Sequence, residues 1–311
     1  MLSRRNIRIK VMQMLYAGGR DKSLDYKTVL QRYHFSINKS YELYLFNLLV
    51  FLRVAKYAQV DAAQRKSKHL PTEEDLIFTA KLCDNPYLQS LLENEPLFKV
   101  FKSHKLIAKI DNDFIRELYL EFSKSEVYKT FIQNQSPDQT DYKVVFLALY
   151  KKLSSSEYFN EEMEAKYSCW IDDKSLIVGT IKKTIKALPL EDSFYEQYIP
   201  TEETVKDFGE TLLLSVFHDD DELLEHIEPT LKNWDVDRVA IIDMILLKMA
   251  LCELLNFPTI PTKVTLNEFV EISKLYSTDK SKDFINGILD RLMKKLISSG
   301  LISKEGRGLV E

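Results

Sequence analysis

Residues 234–255, WDVDRVAIIDMILLKMALCELL, constrain this chain more than any other stretch. Apolar residues fall on every face of the helix this run would form, and such a helix has to be packed on several sides. A membrane span needs about 20 consecutive apolar residues with few charges, whereas Asp237, Arg238, Asp243, Lys248 and Glu253 interrupt this run. The stretch therefore predicts a central core helix with other helices laid around it.

The rest of the chain supplies helices to lay there. Eight glycines and nine prolines are few for 311 residues, and the alternating β-branched runs that mark strands are almost absent. Leu, Lys, Glu, Ile and Tyr recur at helical spacing, so the fold class is all-α. Helices are predicted over 24–34, 38–63, 72–82, 86–104, 111–134, 139–153, 157–169 and 173–187, then over 201–217, 220–229, 264–277 and 282–298. Pro71, Pro86, Pro137 and Pro189 fall at expected turns. Gly287 inside the last helix costs about 1 kcal/mol relative to Ala and predicts a close helix crossing there. Trp170-Ile171-Asp172-Asp173 echoes Trp234-Asp235-Val236-Asp237, and Ile177, Ile181 and Ile185 then align with Ile241, Ile245 and Met249. A worn duplication of 157–188 and 221–252 is one reading of that echo.

At the N-terminus Ser3 is placed to cap a helix from Arg4 to about Ala17, with Gly18-Gly19 to stop it. Ile7, Val11, Met14 and Leu15 form a docking stripe, with Arg5, Arg8 and Met12 on a neighbouring one. Residues 1–20 carry Arg4, Arg5, Arg8, Lys10 and Arg20 and no acid, in a chain of net charge −4. Guanidinium forks bind phosphate and stack on bases, so an anchored arginine cluster can contact RNA; a solvated basic face is the other reading. Gln64-Arg65-Lys66-Ser67-Lys68-His69 reads mainly as a solvated helix end, and Asp219-Asp220-Asp221 as capping with dipole complement rather than a metal site.

No enzyme constellation emerges. The sequence carries no P-loop, no GxGxxG after a strand, no HExxH and no nucleophile elbow. Cys83, Cys169 and Cys252 lack zinc spacing and the five histidines are dispersed, so neither a metal nor another cofactor is expected. Three isolated cysteines and no secretory h-region suit a reducing cytoplasm. Asn267-Glu268 and Asn286, polar on otherwise apolar helices, read as hydrogen-bonding struts.

These pieces combine into a resemblance. Arg4-Arg5-x-x-Arg8 followed by Gln13-x-Leu15-Tyr16 resembles the opening helix of the NusB family of bacterial transcription antitermination factors. So does the series Trp234, Arg238, Asp243, Ile245-Leu246, Glu253-Leu254, Ile260-Pro261-x-Lys263-Val264, Asn267-Glu268, Glu271, Lys274 and Phe284-Ile285-Asn286-Gly287-x-Leu289-Asp290. The resemblance implies a compact helical bundle of NusB type that is not an enzyme. Its expected partners are boxA-type nascent ribosomal RNA, the ribosomal protein NusE and the RNA polymerase elongation complex, with no membrane. It implies RNA contact by Arg4, Arg5, Arg8 and Gln13 of the first helix and by Lys280, Lys282 and Phe284 near the last. Glu253, Lys263 and Glu268 are the implied polar contacts to the protein partner. On this basis residues 1–20 and 201–298 form the NusB-like core, 21–200 an added helical region, and 299–311 a flexible tail. The alternatives are a module like the RNA-binding domain of ribosomal RNA cytosine methyltransferases, without catalysis, and a purely structural helical adaptor.

Overall fold

Ser3 starts the first helix as expected. Its hydroxyl accepts the Asn6 amide at 3.4 Å, and the Asn6 side chain returns to the Ser3 amide at 3.1 Å. The resulting helix α1, Arg4–Arg20, runs through Gly18-Gly19 and stops at Asp21. The computed structural model describes residues 1–21, 23–231 and 235–309. Among these it holds fifteen α-helices and no strand, so the all-α class stands. The chain divides into two compact units, one of Met1 with Asn38–Ile199, the other of Leu2–Ile37 with Pro200–Glu311.

The next helix, α2, spans Tyr26–Lys66 without a break, where the sequence predicts two helices separated near residue 36. No proline or glycine lies in that interval, and Ser36 turns its hydroxyl onto the Tyr33 carbonyl at 2.8 Å instead of capping a new helix. By length and composition α2 is long and apolar enough to cross a membrane, but 72% of its most apolar window is buried inside the fold. Every residue from 40 to 52 is buried, so α2 is the core helix of the first unit. Most of its buried polar groups are matched: Asn47 takes the Tyr150 hydroxyl at 2.9 Å, and Glu42 takes the Tyr167 hydroxyl and the Lys39 and Lys109 ammonium groups, whereas the buried Tyr41 hydroxyl has no hydrogen-bond partner among the described residues.

Around α2 the first unit places α3 (Glu73–Ile77), α4 (Pro86–Leu92), α5 (Glu95–Ser103), α6 (Asn112–Ser123), α7 (Glu126–Gln133), α8 (Gln139–Ser155), α9 (Glu157–Lys166) and α10 (Trp170–Lys186). Three predicted helices are shorter or divided, each for a local reason. Asn94 accepts the Leu97 amide at 2.8 Å and Ser125 accepts the Tyr128 amide at 3.4 Å, so each starts a fresh helix inside a stretch expected to be continuous. After α3 the backbone turns extended at Phe78, whose side chain is buried.

In the second unit a π-helical stretch, Glu203–Glu210, leads directly into α11 (Thr211–His218) and α12 (Asp220–Ile227). Gly209 allows a close approach there. A Cβ on it would lie 2.0 Å from the Tyr33 hydroxyl and 2.5 Å from Ile7 Cγ2, and that hydroxyl donates to the Val205 carbonyl at 2.9 Å. Gly287, expected at a tight crossing, has only Arg291 Nη2 within reach of a Cβ, at 3.9 Å. The expectation therefore fails at Gly287, and the close contact belongs to Gly209. Asp220 pairs with Lys248 at 2.6 Å, which makes it an inter-helix anchor as well as a helix-start residue.

The central helix of this unit is α13, Ile241–Asn256. It begins later than predicted, because Asp235 accepts the Asp237 amide and Val236–Arg238 forms a single 3-10 turn. Trp234 of the predicted helix lies outside the described residues. The helix packs on α1, α11, α12, α14 (Thr262–Tyr276) and α15 (Ser281–Ser298), and residues 246–254 are all buried. The expected central role holds. The echo between 157–188 and 221–252 does not extend to burial at every aligned position, since Ile177 is buried whereas Ile241, its counterpart, is half exposed. The helix α10 also begins at Trp170, while α13 starts only at Ile241.

The tail after Ser298, expected to be flexible, is held against the end of α13. Lys304 Nζ donates to the carbonyls of Leu254 and Phe257, both at 3.1 Å. A lysine there satisfies acceptors that a helix C-terminus leaves open.

Candidate nucleic-acid interface

The first turn of α1 puts positive charge where helix physics resists it. Helix N-termini carry partial positive charge and favour acids, yet this turn contains Arg4 and Arg5 and no acid. Each cation of the cluster meets a carboxylate from elsewhere in the same unit. Arg4 Nη2 lies 3.3 Å from Glu203. Arg5 forks onto Glu268, with Nε at 2.8 Å and Nη2 at 2.6 Å. Arg8 forks onto Glu253 at 2.7 and 2.8 Å, and its Nη1 reaches Glu268 at 3.4 Å. Three arginines thus face three carboxylates, and the local charge balances.

Burial separates their roles. The Arg8 and Glu253 side chains are 2% and 0% exposed. Thr265 donates a third hydrogen bond to Glu253 at 2.7 Å, and the Arg8 guanidinium lies 5.1 and 5.7 Å from the Phe208 and Phe269 ring centroids. This is a sealed core ion pair. Arg8, expected to contact RNA, and Glu253, expected to contact a protein partner, are instead bound to each other across α1 and α13. The reason is that a charge inside an apolar helix has to be paired once it is desolvated. Arg5 is 47% exposed and Glu268 19%, so this pair lies at the surface. The bidentate bond from Arg5 holds the Glu268 carboxyl below its ordinary range, with Arg8 adding to the effect against desolvation, and raises the Arg5 guanidinium in turn.

Arg4, Arg5 and Glu268 line an open cleft of about 670 Å³, whose apolar wall is Ile260, Pro261 and Val264. The connection after α13 and the first turn of α1, assigned to two different ligands on the sequence, therefore share one cleft. Lys263, at the start of α14, is exposed, and Gln13, further along α1, is half-buried.

The other predicted RNA residues lie at the opposite end of α13. Asp243, near its start, accepts the hydroxyls of Ser277 at 2.5 Å and Ser281 at 2.7 Å, which fixes the α14–α15 turn there. Lys280 and Lys282 are exposed on that turn and Phe284 follows, half-buried. Asp243 and Glu253 are separated by roughly 15 Å along the helix, at 1.5 Å per residue. The basic first turn and the Lys280–Phe284 cluster are thus two stations, not one. Among the described residues no group of three or more His, Cys, Asp or Glu is arranged to hold a metal ion.

A family model described as the NusB family matches residues 167–294. A protein from Salinibacter ruber named transcription antitermination protein NusB is 38% identical over 138 residues, which are 42% of this chain and 86% of that protein. Proteins of the same name from Chloroherpeton thalassium and Natranaerobius thermophilus are 43% and 46% identical over 106 and 72 residues. The chain spans about half the length of each of these two, and the matched parts are 34% and 23% of this chain. No solved structure matches.

Proposed function

The chain belongs to the NusB family, and we propose that it is an RNA-binding, non-catalytic antitermination factor. In this reading it binds boxA-type nascent ribosomal RNA together with NusE and so promotes processive transcription by RNA polymerase. The observation that carries the proposal is the exposed pair Arg4 and Arg5, two guanidinium forks held in surface ion pairs on the first turn of a firmly docked helix. Lys280, Lys282 and Phe284 supply a second station of cations beside an aromatic, which suits phosphate contact and base stacking on a single strand. Lys263 and the apolar wall of Ile260, Pro261 and Val264 offer a surface for the protein partner, with Glu268 at its edge.

The test is fluorescence anisotropy with a boxA-type RNA oligonucleotide and a scrambled control, at several salt concentrations and with or without NusE. Arg4→Ala with Arg5→Ala should weaken binding and flatten the salt dependence, by about 0.7 in log–log slope for each phosphate of the single strand that is no longer neutralised. Unchanged affinity and slope in the double variant would remove the first-turn arginines from the interface.

A further inference from the structure

The Arg5–Glu268 pair imposes a condition on any anion that approaches the first turn. Glu268 presents two coplanar oxygens to the Nε and Nη2 of Arg5, at 2.8 and 2.6 Å. Two non-bridging oxygens of a phosphodiester would engage the same fork in the same way. A phosphate reaching Arg5 therefore meets a carboxylate already seated there. The carboxylate also has an alternative partner, since Glu268 Oε2 lies 3.4 Å from Nη1 of the buried Arg8. Arg5 can leave without orphaning Glu268, and its exposure of 47% lets it swing toward solvent, while Arg8, at 2%, is held by its fork on Glu253.

We propose that Glu268 is an internal competitor for RNA phosphate at Arg5, and that RNA binds by taking the Arg5 fork while Glu268 falls back on Arg8. This rests on the RNA-binding reading above. Competition from a partly exposed ion pair weakens a site by about 5-fold at most, so its removal should strengthen RNA binding by up to about that factor.

The experiment uses the full chain and the boxA-type oligonucleotide, with anisotropy measured for wild type, Glu268→Gln, Arg5→Ala and the two combined. Glu271→Gln is the control, because Glu271 acts on Arg5 only through its charge and pairs with Lys274. Glu268→Gln should bind about 3- to 5-fold more tightly and Glu271→Gln within about twofold of wild type. In the Arg5→Ala background, Glu268→Gln should give no increase in affinity. An increase that persists without Arg5 would mean general charge removal, and weaker binding by Glu268→Gln would mean that Glu268 positions Arg5; either overturns the competitor. If RNA binds, Arg5→Ala weakens it and Glu268→Gln changes nothing, the RNA reading stands and the competitor is wrong. If none of the proteins binds the oligonucleotide, both fall. Thermal melts check each fold. Glu268→Asp, which withdraws the carboxylate by one methylene, should show the same direction of change if the Gln variant melts early.

Discussion

Replacing Arg8 by Met separates a structural arginine from an RNA-binding one. The change leaves Glu253, fully buried, with one hydrogen bond from Thr265 in place of the Arg8 fork. It also removes the guanidinium from between Phe208 and Phe269. Breaking a buried pair by deleting one partner costs about 3–5 kcal/mol, whereas replacing both partners by apolar residues is often neutral. At about 2–4 °C per kcal/mol for a unit of this size, Arg8→Met should lower the melting temperature of the second unit by roughly 10 °C. Arg8→Met combined with Glu253→Leu should recover most of that stability. Calorimetry is the suitable assay, because two compact units need not melt in one two-state transition. Below its melting point the Arg8→Met protein should still bind RNA, weakened by no more than about 5-fold because Glu268 loses the partner it falls back on. A normal melt with abolished RNA binding would refute the reasoning, since it would make Arg8 a contact and not a core residue.

Other perturbations test other parts of the structure. Gly209→Ala drives a methyl group against the Tyr33 hydroxyl and Ile7 and should cost about 1–3 kcal/mol despite the better helix propensity of Ala; a melting temperature at or above wild type would show that no close approach exists. Asp75, hydrogen-bonded by Lys68 and by the Thr72 amide, is lowered from 3.8 to about 2. A lowered carboxyl contributes stability above its unfolded value and loses it as pH falls through the folded one, so this contribution should vanish between about pH 4 and pH 2. A carboxyl NMR titration of Asp75 with its midpoint near 4 would contradict the cap. Lys304→Ala should speed hydrogen exchange at residues 301–309, since it removes two bonds to the end of α13; unchanged exchange would mean that the tail is held by other contacts.

The helical class, the Ser3 cap and the buried character of the segment around Leu246–Leu254 are legible in the sequence, because each is written in local spacing. Boundaries are misread where the deciding contact is a short polar side chain or a distant partner. Asn94 and Ser125 look ordinary inside amphipathic runs, yet each accepts a backbone amide and divides a helix. The break expected near residue 36 is not there because no Gly or Pro enforces it and the buried stripe Val29, Tyr33, Ile37, Tyr41 runs straight through. The first-turn arginines are recognisable as a cluster, but their carboxylates lie 199 and 263 positions away, beyond the reach of any local pattern. One signal is available. Glu253 stands between the apolar segments Met249–Cys252 and Leu254–Leu255, and a carboxylate in such a place requires a cation. Arg8 is the arginine flanked by the docking residues Ile7 and Val11.

The burial of residues 246–254 also has a kinetic meaning. A helix enclosed by five others offers no edge from which to fray locally, so its amide protons can exchange only when its neighbours leave. Those amides should therefore exchange at the rate set by global opening of the second unit. The slowest protons of α13 would then act as an internal gauge, reporting the free energy of the whole unit from within its most enclosed helix.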